Sequence, residues 1–261
     1  MNKIVRNYGL HRQLPDRRDH RLWLAAPIAL PPSVDLRGPL MPPVWDQGQL
    51  GSCSSFSLAA AYQFERNWQG LPPLGASNTP SHLFLYWNER DAEGSTASDA
   101  GGDLRDGIQS LTTQGVCDES LWPYDDNQDG KNLFAQKPSD ACYAAALKDL
   151  ALQYQAPDQD LVSLKTALAG GLPVAFGIVV YESFESDAVA QSGIVPMPGA
   201  GEEQLGGHAV LLSGYNDTNG AFLVRNSWGG QWGAEGYFWL QYAYVTDPDL
   251  AFDFWQISQV E

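Results

Sequence analysis

Apolar residues recur with one spacing in the first half of the chain and another in the last third. From Ser54 the text Ser-Ser-Phe-Ser-Leu-Ala-Ala-Ala-Tyr-Gln-Phe-Glu puts Phe56, Ala60 and Phe64 on one stripe, which predicts a helix running to about Trp68. Pro72-Pro73 ends it. A second helix is expected from Ser81, after Pro80, through Leu83-Phe84-Leu85-Tyr86-Trp87 to Arg90, with His82 in its first turn and at the surface. Leu104, Ile108 and Leu111 stand at helical spacing with Gly115 as a stop, and Leu161 to Leu168 makes another short helix closed by Gly170-Gly171. Beyond this point β-formers dominate: Pro173 to Tyr181, His208 to Tyr215, Ala221 to Arg225 and Gly236 to Tyr242. Asn216-Asp217-Thr218-Asn219-Gly220 is a turn between two of them.

Helices first and antiparallel strands last predict an α+β fold in two lobes. The expected divisions are an arm over 1–30, a helical lobe over 31–160 and a β-rich lobe over 161–261. Pro31-Pro32-Ser33-Val34-Asp35-Leu36-Arg37 and Pro42-Pro43-Val44-Trp45-Asp46 read as extended entry segments, because proline fixes φ and bars helix. Neither an internal repeat nor a low-complexity tract is evident.

Composition narrows the picture. A chain of 261 residues with 44% hydrophobic content and nine tryptophans buries a sizeable core. The formal net charge of −16 argues against nucleic acid or an anionic membrane as partner. The charge is unevenly placed: Lys3, Arg6, Arg12, Arg17, Arg18 and Arg21 face only Asp16 and Asp19 in the arm, while the body is acidic. His11 and His20 lie in this polar text and are expected to be solvated. Three cysteines make at most one disulfide, which fits a reducing compartment or indifference to redox state. No apolar run approaches ~20 residues, and Leu22 to Pro32 holds three prolines too far into the chain for an ordinary signal peptide. The expected location is therefore the cytoplasm, or export by a leaderless route.

One stretch carries candidate chemistry. Gln47-Gly48-Gln49-Leu50-Gly51-Ser52-Cys53-Ser54-Ser55-Phe56 puts a cysteine where a glycine-bearing loop enters a helix, with Ser52 as N-cap. Free N–H groups and the helix dipole there favour a negative sulfur, the nucleophilic form. A small buried core cysteine reads the stretch equally well. Gly206-Gly207-His208-Ala209 places an imidazole at the mouth of a strand, where it can take the thiol proton or serve as a satisfied structural histidine. Asn226 in Arg225-Asn226-Ser227-Trp228-Gly229 stands at a strand end. Its side-chain oxygen can accept the second imidazole N–H, with Trp228 shielding that bond; alternatively the text is a tryptophan-and-glycine turn. Gln47, six residues before Cys53, can aim its side-chain N–H at the same point as the Cys53 backbone N–H, an oxyanion hole. Asp125-Asp126-Asn127-Gln128-Asp129-Gly130 matches the first half of a calcium loop, but Gln136 stands at its twelfth position, so an Asx-rich turn is the expectation. Neither a metal nor a cofactor is called for.

Gln47…Cys53, Gly101-Gly102, Gly207-His208-Ala209-Val210 and Asn226-Ser227-Trp228-Gly229, in that order, resemble papain-like cysteine peptidases, the cathepsin family. Val34-Asp35-Leu36-Arg37 resembles the start of the family's mature domain and Gly233-Ala234-Glu235-Gly236-Tyr237 its text after the tryptophan turn, so the likeness spans about Leu30 to Glu261. The resemblance implies a two-lobed fold with a helical left lobe, a β-barrel-like right lobe and the cleft between. It implies Cys53 as nucleophile, His208 as general base and acid, Asn226 as orienter, Gln47 as oxyanion donor, and Gly101, Gly102, Gly207 and Trp228 as substrate-binding positions. The expected activity is endopeptidase cleavage of a peptide or protein through a thiolate–imidazolium pair and an acyl-enzyme. The pocket wall would come partly from Ala209 and from near Phe252 to Gln256.

Some positions depart from the family. Ser54 stands where a Trp is usual, Leu50 and Asp99-Ala100 stand where two cysteines pair, and Gly207 replaces a polar residue, a change expected to shift the pH profile. The missing disulfide implies a bacterial-type or intracellular branch. Cys117 and Cys142 are expected as free thiols. The family is made as zymogens with long prosegments, whereas only about 30 residues precede Pro31. The expectation is a short latch whose extended part, Tyr8 to Leu30, occupies or borders the cleft. Two other functions use the same residues: a catalytically silent binding protein on this scaffold, and a Cys-His acyl transferase of transglutaminase or transpeptidase type. A monomer is expected.

Overall fold

The computed structural model describes residues 6–14, 16–17, 19–22 and 29–261. Lys3 and Arg18 of the basic arm, and much of its apolar end, lie outside the described residues. In chain order the elements are β1 (Ser33–Asp35), α1 (Cys53–Trp68), α2 (His82–Glu93), α3 (Leu104–Thr113), α4 (Asp140–Ala146), β2 (Ala151–Gln155), α5 (Leu161–Ala169) and β3 (Val174–Tyr181). Then follow α6 (Asp187–Ser192), β4 (Gln204–Asn216), β5 (Ala221–Arg225), β6 (Tyr237–Gln241), α7 (Tyr242–Thr246) and β7 (Ala251–Val260).

The strands form one antiparallel sheet in the order β2-β7-β3-β4-β5-β6, with β1 beside the end of β4 where β3 has stopped. The sheet is open, with β2 and β6 at its edges, rather than a closed barrel. Strand β4 is its axis. Its residues alternate between faces: Ala209 and Leu211 join the cluster containing α1, α2 and α3, whereas Val210 and Leu212 join the cluster containing Leu164 and Leu168 of α5. Helix α1 presents Ala59, Ala60 and Ala61, all buried, and small side chains let it lie close to β4 and β7.

The helical spacing that runs from Phe56 through Phe64 is realised as α1, one residue longer at its start than expected. The long final strand β7 and the short helices α4, α6 and α7 were not expected. In β7, Ala251, Phe252, Phe254, Trp255, Gln256 and Ile257 are buried, so the strand faces protein on both sides and lacks a clean alternation. His82 is a correction. It is buried, its ring stacks 4.0 Å from Phe56, and its Nδ1 lies 3.3 Å from the Glu119 carboxylate. The first turn of α2 points inward because Ser81 caps the helix by accepting the Phe84 N–H, 3.2 Å away.

Candidate active site

Cys53 is the first residue of α1 and is fully buried. Ser52 does not cap the helix with its side chain. Its hydroxyl instead lies 2.7 Å from Tyr124 Oη, which in turn donates to the Gln47 carbonyl at 2.7 Å. The backbone N–H groups of Ala209 and Ser54 are placed to favour a charged Cys53 sulfur. One turn on, Ser57 Oγ donates to the Val210 carbonyl at 2.8 Å and fixes α1 to β4. The helix that carries Cys53 therefore lies directly against the strand that carries His208.

His208 is buried on β4, and its Nε2 lies 2.8 Å from Asn226 Oδ1, just beyond β5. An oxygen acceptor there assigns the proton to Nε2 and leaves Nδ1 on the other side of the ring. Trp228 stacks on the imidazole, with centroids 5.1 Å apart. Gln47 is buried; its Nε2 donates to the Leu50 carbonyl at 2.8 Å and its Oε1 accepts from Ser227 Oγ at 2.5 Å. A carboxamide nitrogen has two protons, so the second remains for another acceptor. The segment before Gln47 is held by buried Arg225, whose guanidinium donates to the carbonyls of Pro42 and Pro43. The structure thus links Gln47, Ser227, Asn226 and His208 in one run of hydrogen bonds with Trp228 stacked alongside, and sets Cys53 at the N-terminal end of the helix packed on the same strand.

The two glycines at the site have different surroundings. Gly101 has φ +85° and donates its N–H to Tyr86 Oη at 3.1 Å. Gly102 has φ in the ordinary range and sits against the Glu89 carboxyl. Where a disulfide was missed in the sequence, Asp99 now joins the same two loops. Its carboxylate accepts the Gly51 N–H at 3.0 Å and the Tyr86 hydroxyl at 2.5 Å, while Leu50 packs with Leu83, Tyr86 and Phe134.

Residues 6–14 run through the cleft. Arg6 lies 4.1 Å over the Trp228 ring and donates to the Gly48 carbonyl. Asn7 donates to Asp99, Tyr8 to Glu185 and Gln13 to Asp103 and Asp253. The Tyr8 ring meets His208 edge-on at 6.1 Å. Gly9 crosses Gly101 so closely that a Cβ on it would lie 2.8 Å from the Gly101 Cα. Leu10 donates its N–H to the Gly207 carbonyl at 3.3 Å and is buried against Phe252 and Gly177. This segment desolvates the site. Burial pushes the Cys53 thiol up to about 12, against the neighbouring backbone N–H groups, and pulls His208 down to about 4, against Asn226. Burial in this closed arrangement thus opposes charge on either group.

The Asp125–Gly130 carboxylates turn on their own backbone: Asp125 accepts the Asn127 N–H at 2.7 Å and Asp129 pairs with Lys131. Among the described residues, Glu93, Asp103 and Asp106 converge within 4.8 Å, but partial burial pushes all three carboxyls up and Asp103 is already taken by Gln13. Cys117 and Cys142 are buried and free, and the Cys142 thiol donates to the Leu121 carbonyl at 3.5 Å. His11 and His20 are exposed, as expected. Of the stretch Tyr8 to Leu30, expected to occupy or border the cleft, Tyr8-Gly9-Leu10 lies against Glu185, Gly101 and Gly207. One candidate escaped the sequence reading. Glu89 was missed altogether; the polar Ser54 beside the nucleophile was the available signal.

A helix-borne cysteine meeting a strand-borne histidine and asparagine across a two-lobed α+β fold defines a cysteine-peptidase architecture. The model of the papain family cysteine proteases matches residues 30–247, and the chain belongs to that family. It is 37% identical to an uncharacterized peptidase C1-like protein of Acanthamoeba polyphaga mimivirus, over 98% of this chain and 88% of that one. It is 31% identical to the cathepsin B-like CP3 of Giardia intestinalis over 76% of this chain, which spans 64% of that relative. Its structure is similar to xylellain, a cysteine protease from Xylella fastidiosa, at 39% identity and a TM-score of 0.88, covering 100% of this chain and 99% of the other. Digestive procathepsin L 3 of Tenebrio molitor shares the fold at a TM-score of 0.66 and 24% identity, over 93% of this chain and 75% of that one. Among the described residues no helix is long and apolar enough to cross a membrane.

Proposed function

We propose that this cysteine peptidase is an endopeptidase made in a latent form, with residues 6–14 as its latch. Cys53 attacks the scissile carbonyl, and His208 Nδ1 takes the thiol proton while Asn226 holds Nε2. The tetrahedral oxyanion lies between the Cys53 N–H and the free proton of Gln47 Nε2. His208 returns the proton to the leaving amine, and water, deprotonated by His208, releases the acyl group as acid and regenerates the thiol. The substrate backbone lies as an extended strand along Gly101-Gly102 and Gly207. The observation that carries the reading is the buried His208 imidazole held 2.8 Å from Asn226 and stacked on Trp228, one residue before the Ala209 N–H that favours a charged Cys53 sulfur.

The latch is supported by Arg6, Asn7, Gly9 and Leu10, which lie along Gly48, Asp99, Gly101 and Gly207, the strip that a substrate would need. Among the described residues the arm is held both by its basic groups, Arg6 on Trp228 and Asp46 and Arg21 on Asp158, and by the neutral Asn7, Tyr8 and Gln13. The test is the rate of Cys53 alkylation against pH. With the arm in place the thiol is held near 12 and labels slowly at neutral pH. Gly9→Ala, which forces a methyl onto Gly101, is expected to free the cleft and bring fast labelling down to pH ~5 together with peptide hydrolysis. Equal labelling rates in the two chains would remove the latch, and a freed cleft without hydrolysis would remove the peptidase mechanism.

A further inference from the structure

The residue after the nucleophile is out of place for this site. Ser54 is fully buried, and its hydroxyl donates to Glu89 Oε2 at 2.6 Å. Glu89, from the middle of α2, is itself fully buried. Its Oε1 has no hydrogen-bond partner. The carboxyl fills a space kept open by two glycines. A Cβ on Gly102 would lie 2.6 Å from Oε2, and one on Gly107 would lie 2.6 Å from Oε1. One side chain therefore touches the start of the nucleophile helix, the substrate strip and the first turn of α3.

We propose that Glu89 is a positioning residue for the reaction: by holding Ser54 through a buried hydrogen bond, it sets the first turn of α1, and so the Cys53 sulfur, against the Gly101-Gly102 strip. This rests on Cys53 being the nucleophile. A buried acid with one unpaired oxygen would be a costly place for a charge. Burial raises the Glu89 carboxyl well above the usual range. The Ser54 hydrogen bond and Arg90 favour the carboxylate, Glu93 on its own helix and Asp103 ahead of α3 disfavour it, and burial outweighs them all. Arg90 directs its guanidinium to the carbonyls of Tyr86, Thr96, Ser98 and Phe134, and so leaves Glu89 without a direct cationic partner there. A charge on Glu89 disfavours the Cys53 thiolate, one of the causes that hold this thiol up. A neutral Glu89 thus holds the nucleophile's turn without opposing the thiolate. As pH rises through its raised value the carboxylate forms, disfavours the thiolate, and activity declines on the alkaline side.

The test compares Ser54→Ala, Glu89→Ala and Glu89→Gln in the full chain, each with and without Gly9→Ala. Ser54→Ala and Glu89→Ala are expected to lower kcat roughly ten- to a hundred-fold with KM changed by less than about two-fold, as befits a displaced nucleophile. Glu89→Gln accepts the same hydrogen bond and carries no titrating proton. It is expected to recover kcat to within about three-fold of the parent and to lose the alkaline decline. Should Glu89→Ala fail to fold, as read by circular dichroism, Ser54→Ala and Glu89→Gln decide. Parental kinetics in Ser54→Ala, or a Glu89→Gln chain with low kcat and an unchanged alkaline limb, overturns the inference while the peptidase reading stands. A parent chain with no Cys53-dependent hydrolysis in either background overturns both.

Discussion

The two walls of the cleft are built by different means. On the sheet wall His208, Asn226 and Ser227 are carried by β4 and the end of β5, in register with β3 and β6, so the ladder itself sets their positions. The buried charge there, Arg225, gives its protons to backbone carbonyls. On the helical wall the loop before Cys53 has one isolated backbone bridge, Asp46 with Trp228, and its other ties are side chains. Asp99 receives the Gly51 N–H and Tyr124 joins Ser52 to the Gln47 carbonyl, while Glu89 holds Ser54 just inside the helix. The lesson is that a loop can be as fixed as a strand when each of its polar groups finds a buried partner, but every such link is individually breakable.

The comparison can be broken at either wall. Cys53→Ala and His208→Ala are each expected to cost about 10⁴-fold or more in kcat/KM, and the double variant little beyond either, because the two act as one unit. Asn226→Ala, which frees the ring to turn, is expected to cost about a hundred-fold, read in kcat rather than KM. On the helical wall Asp99→Ala strands the Gly51 N–H and the Tyr86 hydroxyl and should lower unfolding free energy by about 2 kcal/mol in urea titration. Ser227→Ala, on the sheet wall, should cost only about 1 kcal/mol, since the ladder remains.

A pH series sharpens the contrast. Glu65, buried on α1, has its carboxyl pushed up to about 7 by burial alone. A raised folded value means that its contribution to stability is present in full below the ordinary carboxyl range and is lost as pH rises through about 7. Glu65→Gln should flatten that part of the stability curve. An unchanged curve would show that the acid is not shielded as the helical wall requires.

Much of this was readable before any coordinates. The stripe of Phe56, Ala60 and Phe64 gives α1, and the β-rich texts after Pro173 give the centre of the sheet, because one-sided burial leaves a period in the residues. Strand β7 was illegible for the converse reason, since a strand covered on both faces loses its alternation. Motif order singled out Cys53, His208, Asn226 and Gln47, but not how deeply Cys53 and His208 are buried. Nor could it reveal Glu89, whose significance arises only when α2 folds across the start of α1.

The Asp99 link has a consequence for how this protein can be handled and made. An enzyme whose nucleophile is a thiol works best where reductant keeps that thiol from oxidising, yet a framework of cystine bridges is weakened by the same reductant. Here the clamp between the Gly51 and Gly101 loops is a carboxylate receiving hydrogen bonds, and all three cysteines are free. Strong reductant can therefore protect Cys53 without loosening the cleft, and the chain can complete its fold with no oxidant or disulfide isomerase to assist it.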